Sequence, residues 1–164
     1  MTGKQPLITI YTDGAARGNP GPGGYGIVLM SGKHRKELSE GFRKTTNNRM
    51  ELLAVIIALE TLKIKPSAVK VYTDSKYVSD AINQDWISSL IKKNFKKVKN
   101  PDLWKRFINI YNQHNVKFIW VKGHANNVEN NRCDELAVEA SKKDSLIVDE
   151  YYENSISEGE NTLF

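Results

Sequence analysis

Two stretches of this 164-residue chain share one pattern, and together they limit what it can fold into. ITIYTD (residues 8–13) and VKVYTD (residues 69–74) are both runs of β-type residues that close on Tyr-Thr-Asp. Between them lies NNRMELLAVIIALETLK (residues 47–63), which is apolar on nearly every side and therefore must be covered all round as a buried helix. An acid at the tip of an apolar strand is ordinary turn chemistry when it occurs once. Two such acids, Asp13 and Asp74, need a shared explanation.

The rest of the chain fills in around this unit. Residues 7–12, 24–30 and 34–42 read as three strands, with Ser31-Gly32 turning the second into the third as an antiparallel meander. Pro66 ends the buried helix, and the strand at 68–73 follows. DSKYVSDAINQ (residues 74–84) reads as a short helix with Ser75 as its cap, and residues 86–99 form a lysine-rich segment. NPDLWKRFINIYNQ opens a further helix, with Asn100 at the N-cap and Pro101 at the first helical position. A strand at 116–121 and a helix at about 130–143 close the domain. The order βββ-α-β-α-α-β-α predicts an α/β fold: a mixed five-stranded sheet, three antiparallel strands then two parallel, flanked by helices. Residues 1–143 form this one domain. Residues 144–164 form an acidic tail whose first half docks through Leu146, Ile147, Val148, Tyr151 and Tyr152, and whose last ten or so residues are expected to be disordered.

Charge separates the two parts. All 24 Lys and Arg precede Asp144, while six of the 19 acids lie from there on, leaving residues 1–143 at +11 (24 against 13) and the tail at −6. A body this basic points to a polyanionic partner such as nucleic acid, and the tail reads as a solubilising or packed segment ahead of a weak competitor for that partner. The longest apolar run, LLAVIIAL (Leu52–Leu59), is too short to cross a membrane, and MTGKQP has no apolar signal segment. The single cysteine, Cys133, lies on a helix as a packed thiol and fits a reducing cytoplasm. His34, His114, His124 and Cys133 are too few and too scattered for a zinc site. GNPGPGG lacks the Gly-Lys-Ser/Thr of a phosphate loop and reads as a tight turn.

The acids carry the chemistry. In a sheet with parallel crossovers, sites form at the carboxyl ends of strands, where Asp13 and Asp74 stand. Glu51 lies in the first turn of the buried helix, and Asp134 lies near the start of the last one. Two unit charges about 4 Å apart repel by roughly 4 kcal/mol at an effective dielectric of 20, so four converging carboxylates require cations. Oxygen-only ligands suit Mg²⁺ or Mn²⁺, and paired ions of this kind serve phosphoryl transfer.

These residues resemble a known family. YTDGAARGNPGPGGYG, TTNNRMELLAVIIALE, VYTDSKYV, NPDLWKR and WVKGHANNVENNRCDELA are similar, in that order and over residues 7–142, to type 1 ribonuclease H. The resemblance implies an endonuclease that cuts the RNA strand of RNA–DNA hybrids, acts as a monomer and leaves 5′-phosphate and 3′-hydroxyl ends. It also implies two Mg²⁺ held by Asp13, Glu51, Asp74 and Asp134, with Asp13 bridging both ions and Mn²⁺ as a substitute. His124 would move protons or assist product release. Asn19, Asn47 and Asn48 would read the minor groove and the RNA 2′-hydroxyls. Lys44, Thr46 and Asn100 would grip a DNA-strand phosphate, although Asn100 also reads as a plain helix cap, and Asn47 as a cap of the buried helix. Lys76 stands where many bacterial members carry glutamine. The basic handle at 86–104, with Trp86 and five lysines, is shorter than in the best-known bacterial members, which should weaken binding more than catalysis. A non-catalytic hybrid-binding module and a related polynucleotidyl transferase are the competing readings. The presence of all four acids opposes the first, and the compact chain opposes the second.

Overall fold

The computed structural model of the chain describes residues 7–123 and 126–162. Its strands are β1 (Leu7–Ala16), β2 (Gly21–Ser31), β3 (His34–Thr45), β4 (Ala68–Thr73) and β5 (Asn115–Trp120). The helices are α1 (Asn47–Thr61), α2 (Lys76–Asn83), α3 (Trp86–Lys92), α4 (Pro101–Tyr111), α5 (Val128–Ser141) and α6 (Glu150–Thr162). The strands form one sheet in the order β3-β2-β1-β4-β5. β1–β2 and β2–β3 pair antiparallel, and β1–β4 and β4–β5 pair parallel, as the element order predicts.

The period-two alternation of the strands divides the interior between two faces. Ile10, Ile27 and Leu29 join the main core with α1 and α4, while Tyr11, Val28 and Met30 pack with Cys133 and Leu136 of α5. α1 is covered all round as its composition requires, with Met50, Leu52, Ala54, Val55, Ile56, Ala58 and Leu59 fully buried. No helix among the described residues is long and apolar enough to cross a membrane.

Three elements differ from the sequence expectation. β1 does not stop before Asp13. Its parallel pairing with β4 ends at Thr12↔Thr73, but its antiparallel pairing with β2 continues through Asp13↔Gly26 to Ala16↔Gly23. Asp13 therefore stands inside a strand, at the point where one neighbour ends and the other continues. The lysine-rich segment holds a helix of its own, α3, after Asp85 in a left-handed conformation (φ 55°). Ile87, Leu90, Phe95 and Val98 pin this segment to the main core.

The third difference is the C-terminal segment. Residues expected to be disordered are helical to Thr162. Asp149 accepts from the Tyr152 amide (3.3 Å), and Glu150 and Glu153 lie in the first turn, where acids favour a helix start. The entering chain is held by two backbone bonds, Arg43 N–H to Ile147 O and Ile147 N–H to Gly41 O, both 2.9 Å. Below it, the Arg49 guanidinium is 3% exposed and forms two forks, to Asp149 (2.7 and 3.0 Å) and to Asp102 (2.9 and 2.8 Å). Burial opposes its charge, and the two carboxylates outweigh that cost, so its pKa is raised.

This network yields a stability prediction. Asp149→Ala leaves half of a buried guanidinium unpaired, so it should cost about 3–5 kcal/mol in denaturant or thermal unfolding. A loss below about 1 kcal/mol would mean that Asp102 alone satisfies Arg49.

Candidate functional site

The acids converge because two glycines let helices approach the sheet closely. A Cβ on Gly14 would lie 2.4–2.7 Å from the backbone of Met50 and Glu51, so only glycine admits the first turn of α1 against β1 beside Asp13. On the other face, a Cβ on Gly26, the residue paired with Asp13, would lie 2.2 Å from the Cys133 carbonyl oxygen. That contact seats α5 and its Asp134 at the same sheet position. Asp74 follows the last residue of β4, and its carbonyl accepts from Trp120 Nε1 (3.0 Å). Asp13, Glu51, Asp74 and Asp134 thus line one cleft of about 200 Å³, together with Asn47, Asn130 and Asn131.

Electrostatics shows the strain of this assembly. Burial, then the neighbouring charge of Asp74, pushes the Asp13 carboxyl up to about 9, against the opposing hydrogen bond from the Gly14 amide (2.9 Å). Burial likewise pushes Glu51 up to about 7, with Asp74 adding to the rise, and the short hydrogen bond donated by Ser75 Oγ (2.5 Å) opposes it. These groups cannot all ionise together without added positive charge. Asn130 also lines the cleft, and its Oδ1 is buried with no hydrogen-bond partner among the described residues. Carboxylates that need a cation, beside an unsatisfied amide oxygen, fit a hard divalent ion. Among the described residues, no three Asp, Glu, His or Cys side chains stand close enough to hold a metal ion by themselves.

The cleft opens into a larger groove of about 690 Å³, and Asn47 and Glu51 line both. Asn19, Thr46, Asn48 and Asn100, four further residues singled out from sequence, line this groove with Lys99. Asn47 is not the cap of α1. Thr46 is, accepting from the Arg49 amide (3.2 Å), while Asn47 accepts from the Ala16 amide (2.6 Å) and donates its own amide to Asn19 Oδ1 (3.0 Å). Asn100 occupies the N-cap of α4 in a left-handed conformation (φ 60°) and makes no side-chain cap bond. Its Oδ1 accepts from Arg49 (3.2 Å), and its Nδ2 donates to the Tyr77 hydroxyl (3.1 Å). The asparagines are thereby held in place by partners from other elements.

Three expected contacts lie apart. Lys44 lines a separate hollow with Arg43, Glu150 and Glu153. Lys76 and Trp86 line neither cleft nor groove: Lys76 Nζ sits 4.9 Å from the Trp120 ring centroid, and Trp86 is 45% exposed at the start of α3. His124 lies outside the described residues, although a Cβ on Gly123 would stand 2.9 Å from an Asp74 carboxylate oxygen, so the loop meets the cleft there. Sequence reasoning took Ser75 only as a cap and passed over Asn130. The serine both caps α2 and donates to Glu51, a double role that only the juxtaposition of α1 and α2 reveals.

Comparisons with known proteins agree with this fold. The model of the RNase H family matches residues 5–142. A ribonuclease H of Trichodesmium erythraeum is 54% identical over 158 residues, covering 93% of this chain and all of that protein. One of Desulforamulus reducens is 56% identical over 147 residues, covering 87% and 92%. Among solved structures, LC9-RNase H1, a type 1 RNase H with the type 2 active-site motif, superposes with a TM-score of 0.77 at 28% identity, covering 86% of this chain and 74% of that one. LC11-RNase H1, solved in complex with an RNA/DNA hybrid, superposes with a TM-score of 0.61 at 32% identity, covering 81% and 95%.

The raised carboxyls predict a pH dependence. Glu51 and Asp13 bind protons more readily in the folded state than at their ordinary values of 4.5 and 3.8. Between those values and the folded ones, the folded chain carries the extra protons, so stability of the metal-free protein should fall as pH rises. Thermal unfolding in EDTA from about pH 5 to about pH 9 should show a declining melting temperature, and Asp13→Asn should flatten the decline and raise its upper end by several degrees. An equally steep decline in the variant would place its source elsewhere.

Proposed function

Because the chain belongs to the RNase H family and is a ribonuclease H, we propose that it hydrolyses the RNA strand of RNA–DNA hybrids, leaving 5′-phosphate and 3′-hydroxyl ends. The observation that carries this reading is the cleft in which four carboxylates, two of them with raised pKa, open directly into an asparagine-lined groove. The hybrid bound in the LC11-RNase H1 complex supports the choice of substrate.

Asp13, Glu51, Asp74 and Asp134 would hold two Mg²⁺, or Mn²⁺ in their place. When bound, such ions supply activation of the attacking water and stabilisation of the departing 3′-oxygen. The chain's own residues prepare the site. Ser75 donates to Glu51 and fixes the direction of its carboxylate. The Gly14 amide does the same for Asp13. Asn19, Asn47 and Asn48 offer amide donors and acceptors to base edges and 2′-hydroxyls, the groups that tell RNA from DNA. Thr46, Lys99 and Asn100 would receive a backbone phosphate at the far side of the groove. The lysines around α3 add sequence-independent affinity, and His124 would carry protons. The protein acts as a monomer in the cytoplasm in this reading, and residues 1–143 carry the catalytic unit.

Cleavage of a strand-labelled hybrid beside RNA–RNA and DNA–DNA duplexes, with Mg²⁺ and with EDTA, tests the whole reading: only the RNA of the hybrid should be cut, and only with metal. Asp74→Asn keeps the shape but removes charge where a cation must sit, and should abolish cleavage while hybrid binding persists. Residual activity within about tenfold of wild type would exclude Asp74 as a ligand. His124→Ala should slow turnover by about 10²-fold or less. Single-turnover and steady-state rates that both match wild type would reduce His124 to a loop residue.

A further inference from the structure

The groove has a wall that the family match does not include. That match ends at residue 142, and α6 begins at Glu150. Yet Tyr151, Tyr152 and Ser155 of α6 line the same 690 Å³ groove as Asn19, Thr46, Asn47, Asn48, Lys99 and Asn100. Two acids of this helix, Glu150 and Glu153, lie to another side. Glu150 and Glu153 line the separate hollow with Arg43 and Lys44, and Glu153 forks onto Arg43 at 2.8 and 2.9 Å. Among the described residues, the side that α6 turns to the groove is therefore aromatic and hydroxylic, without charge.

Its position is fixed from below. Asp149, immediately before α6, is held by the buried Arg49 and by the Thr45 hydroxyl (2.8 Å), and the same guanidinium lies 5.4 Å from the Tyr151 ring centroid. Arg49 also donates to Asn100 Oδ1 (3.2 Å), so one side chain sets both walls of the groove relative to each other.

We propose that the first turns of α6 form part of the hybrid-binding surface, with Tyr151, Tyr152 and Ser155 contacting the nucleic-acid backbone that lies against Asn100. The inference rests on the hybrid-cleavage reading and deepens it. Phenolic hydroxyls donate to phosphate and sugar oxygens, while the Ser155 hydroxyl, which donates to the Tyr152 carbonyl (2.7 Å), keeps lone pairs to accept from sugar hydroxyls, and such contacts set register and affinity without reading sequence. Tyrosine suits the task because its ring gives a broad apolar contact and its hydroxyl a donor at low conformational cost. Asp149 is the positioning residue that holds this wall in place. An acidic tail that displaced the hybrid would instead have to direct its carboxylates into the groove, and among the described residues the groove lining contributed by α6 includes none of them.

The test uses the full-length chain, with hybrid binding measured in an Asp74→Asn background and steady-state cleavage measured with the native acids. Tyr152→Phe combined with Ser155→Ala removes two hydroxyls while keeping the ring, and Tyr151→Ala combined with Tyr152→Ala removes both rings. Each should weaken hybrid binding and raise KM by about three- to tenfold, the ring deletion more than the hydroxyl deletion, with kcat within about twofold of wild type. The hydroxyl deletion should keep the wild-type melting temperature, which separates a lost contact from a loosened fold. Unchanged binding in both variants overturns the proposal, as does tighter binding in either, which would make α6 a competitor of the hybrid. Wild-type protein that cuts the hybrid beside variants that bind it normally removes this proposal alone. A wild type that neither binds nor cuts it removes the underlying reading as well.

Discussion

One buried guanidinium holds the functional side of this molecule together. Arg49 lies in the first turn of α1, between the asparagines that line the groove and Glu51 that reaches the cleft. Its two forks and its bond to Asn100 tie α1 to the start of α4 and to the chain entering α6. Arginine can do this because its five donors lie in one plane and can satisfy two carboxylates and an amide at once. A lysine would leave most of those acceptors unpaired in a buried site. The network is closed and charged, and its members come from three segments distant in sequence, so it specifies one relative placement of those segments more sharply than apolar packing alone would.

The cleft obeys the opposite logic. There the chain gathers like charges, and both Asp13 and Glu51 respond by holding their protons far above the ordinary range, chiefly because of burial. The fold tolerates this because the structure around the cleft is over-determined. β1 is paired on both sides up to Thr12, and on one side beyond it. Gly14 and Gly26 admit α1 and α5 at van der Waals distance from opposite faces. Ser75 meets Glu51 while capping its own helix. Repulsion that would scatter exposed carboxylates is thus held in place by backbone contacts, and the site is prepared for positive charge before any arrives.

Much of this is legible in the sequence, for reasons that also explain what is not. The Tyr-Thr-Asp repeats and the all-round apolar helix mark β1, β4 and α1 because they depend on local periodicity, and the strand order follows from connection rules. β1 runs past Asp13 because pairing with β2 overrides a stretch whose glycines and prolines read locally as a turn. Thr46, not Asn47, caps α1, since Asn47 is taken up by Ala16 and Asn19, contacts made across 31 and 28 residues of chain. Arg49 was invisible as an organiser because its carboxylate partners lie 53 and 100 residues away. The family resemblance groups Lys44 with Thr46 and Asn100, and in the fold Lys44 lines the hollow beside Glu150 and Glu153 while the other two line the groove. The misread cap and the unseen organiser both depend on partners far away in sequence, which local periodicity does not report.

The charge asymmetry of the chain takes on a different meaning in this light. Summed over the sequence, an acidic C-terminal segment beside a basic body suggests a tethered competitor for nucleic acid. In the folded protein, however, charges are distributed by contact. Asp149 is absorbed by Arg49 and Glu153 by Arg43, so two of the segment's acids act as local counter-ions at the base and back of α6. Such paired charges present mostly a dipole to a ligand at a distance, and that field falls off faster than that of a single charge and is further screened by salt. The lysines around α3 lie on a different segment, and among the ion pairs of the described residues none involves them. A polyanion approaching the groove therefore meets an acidic segment two of whose six charges are already paired, and whose groove-lining residues are Tyr151, Tyr152 and Ser155. Net charge by segment predicts the sign of the partner, but only the pairing pattern tells which acids remain to oppose it.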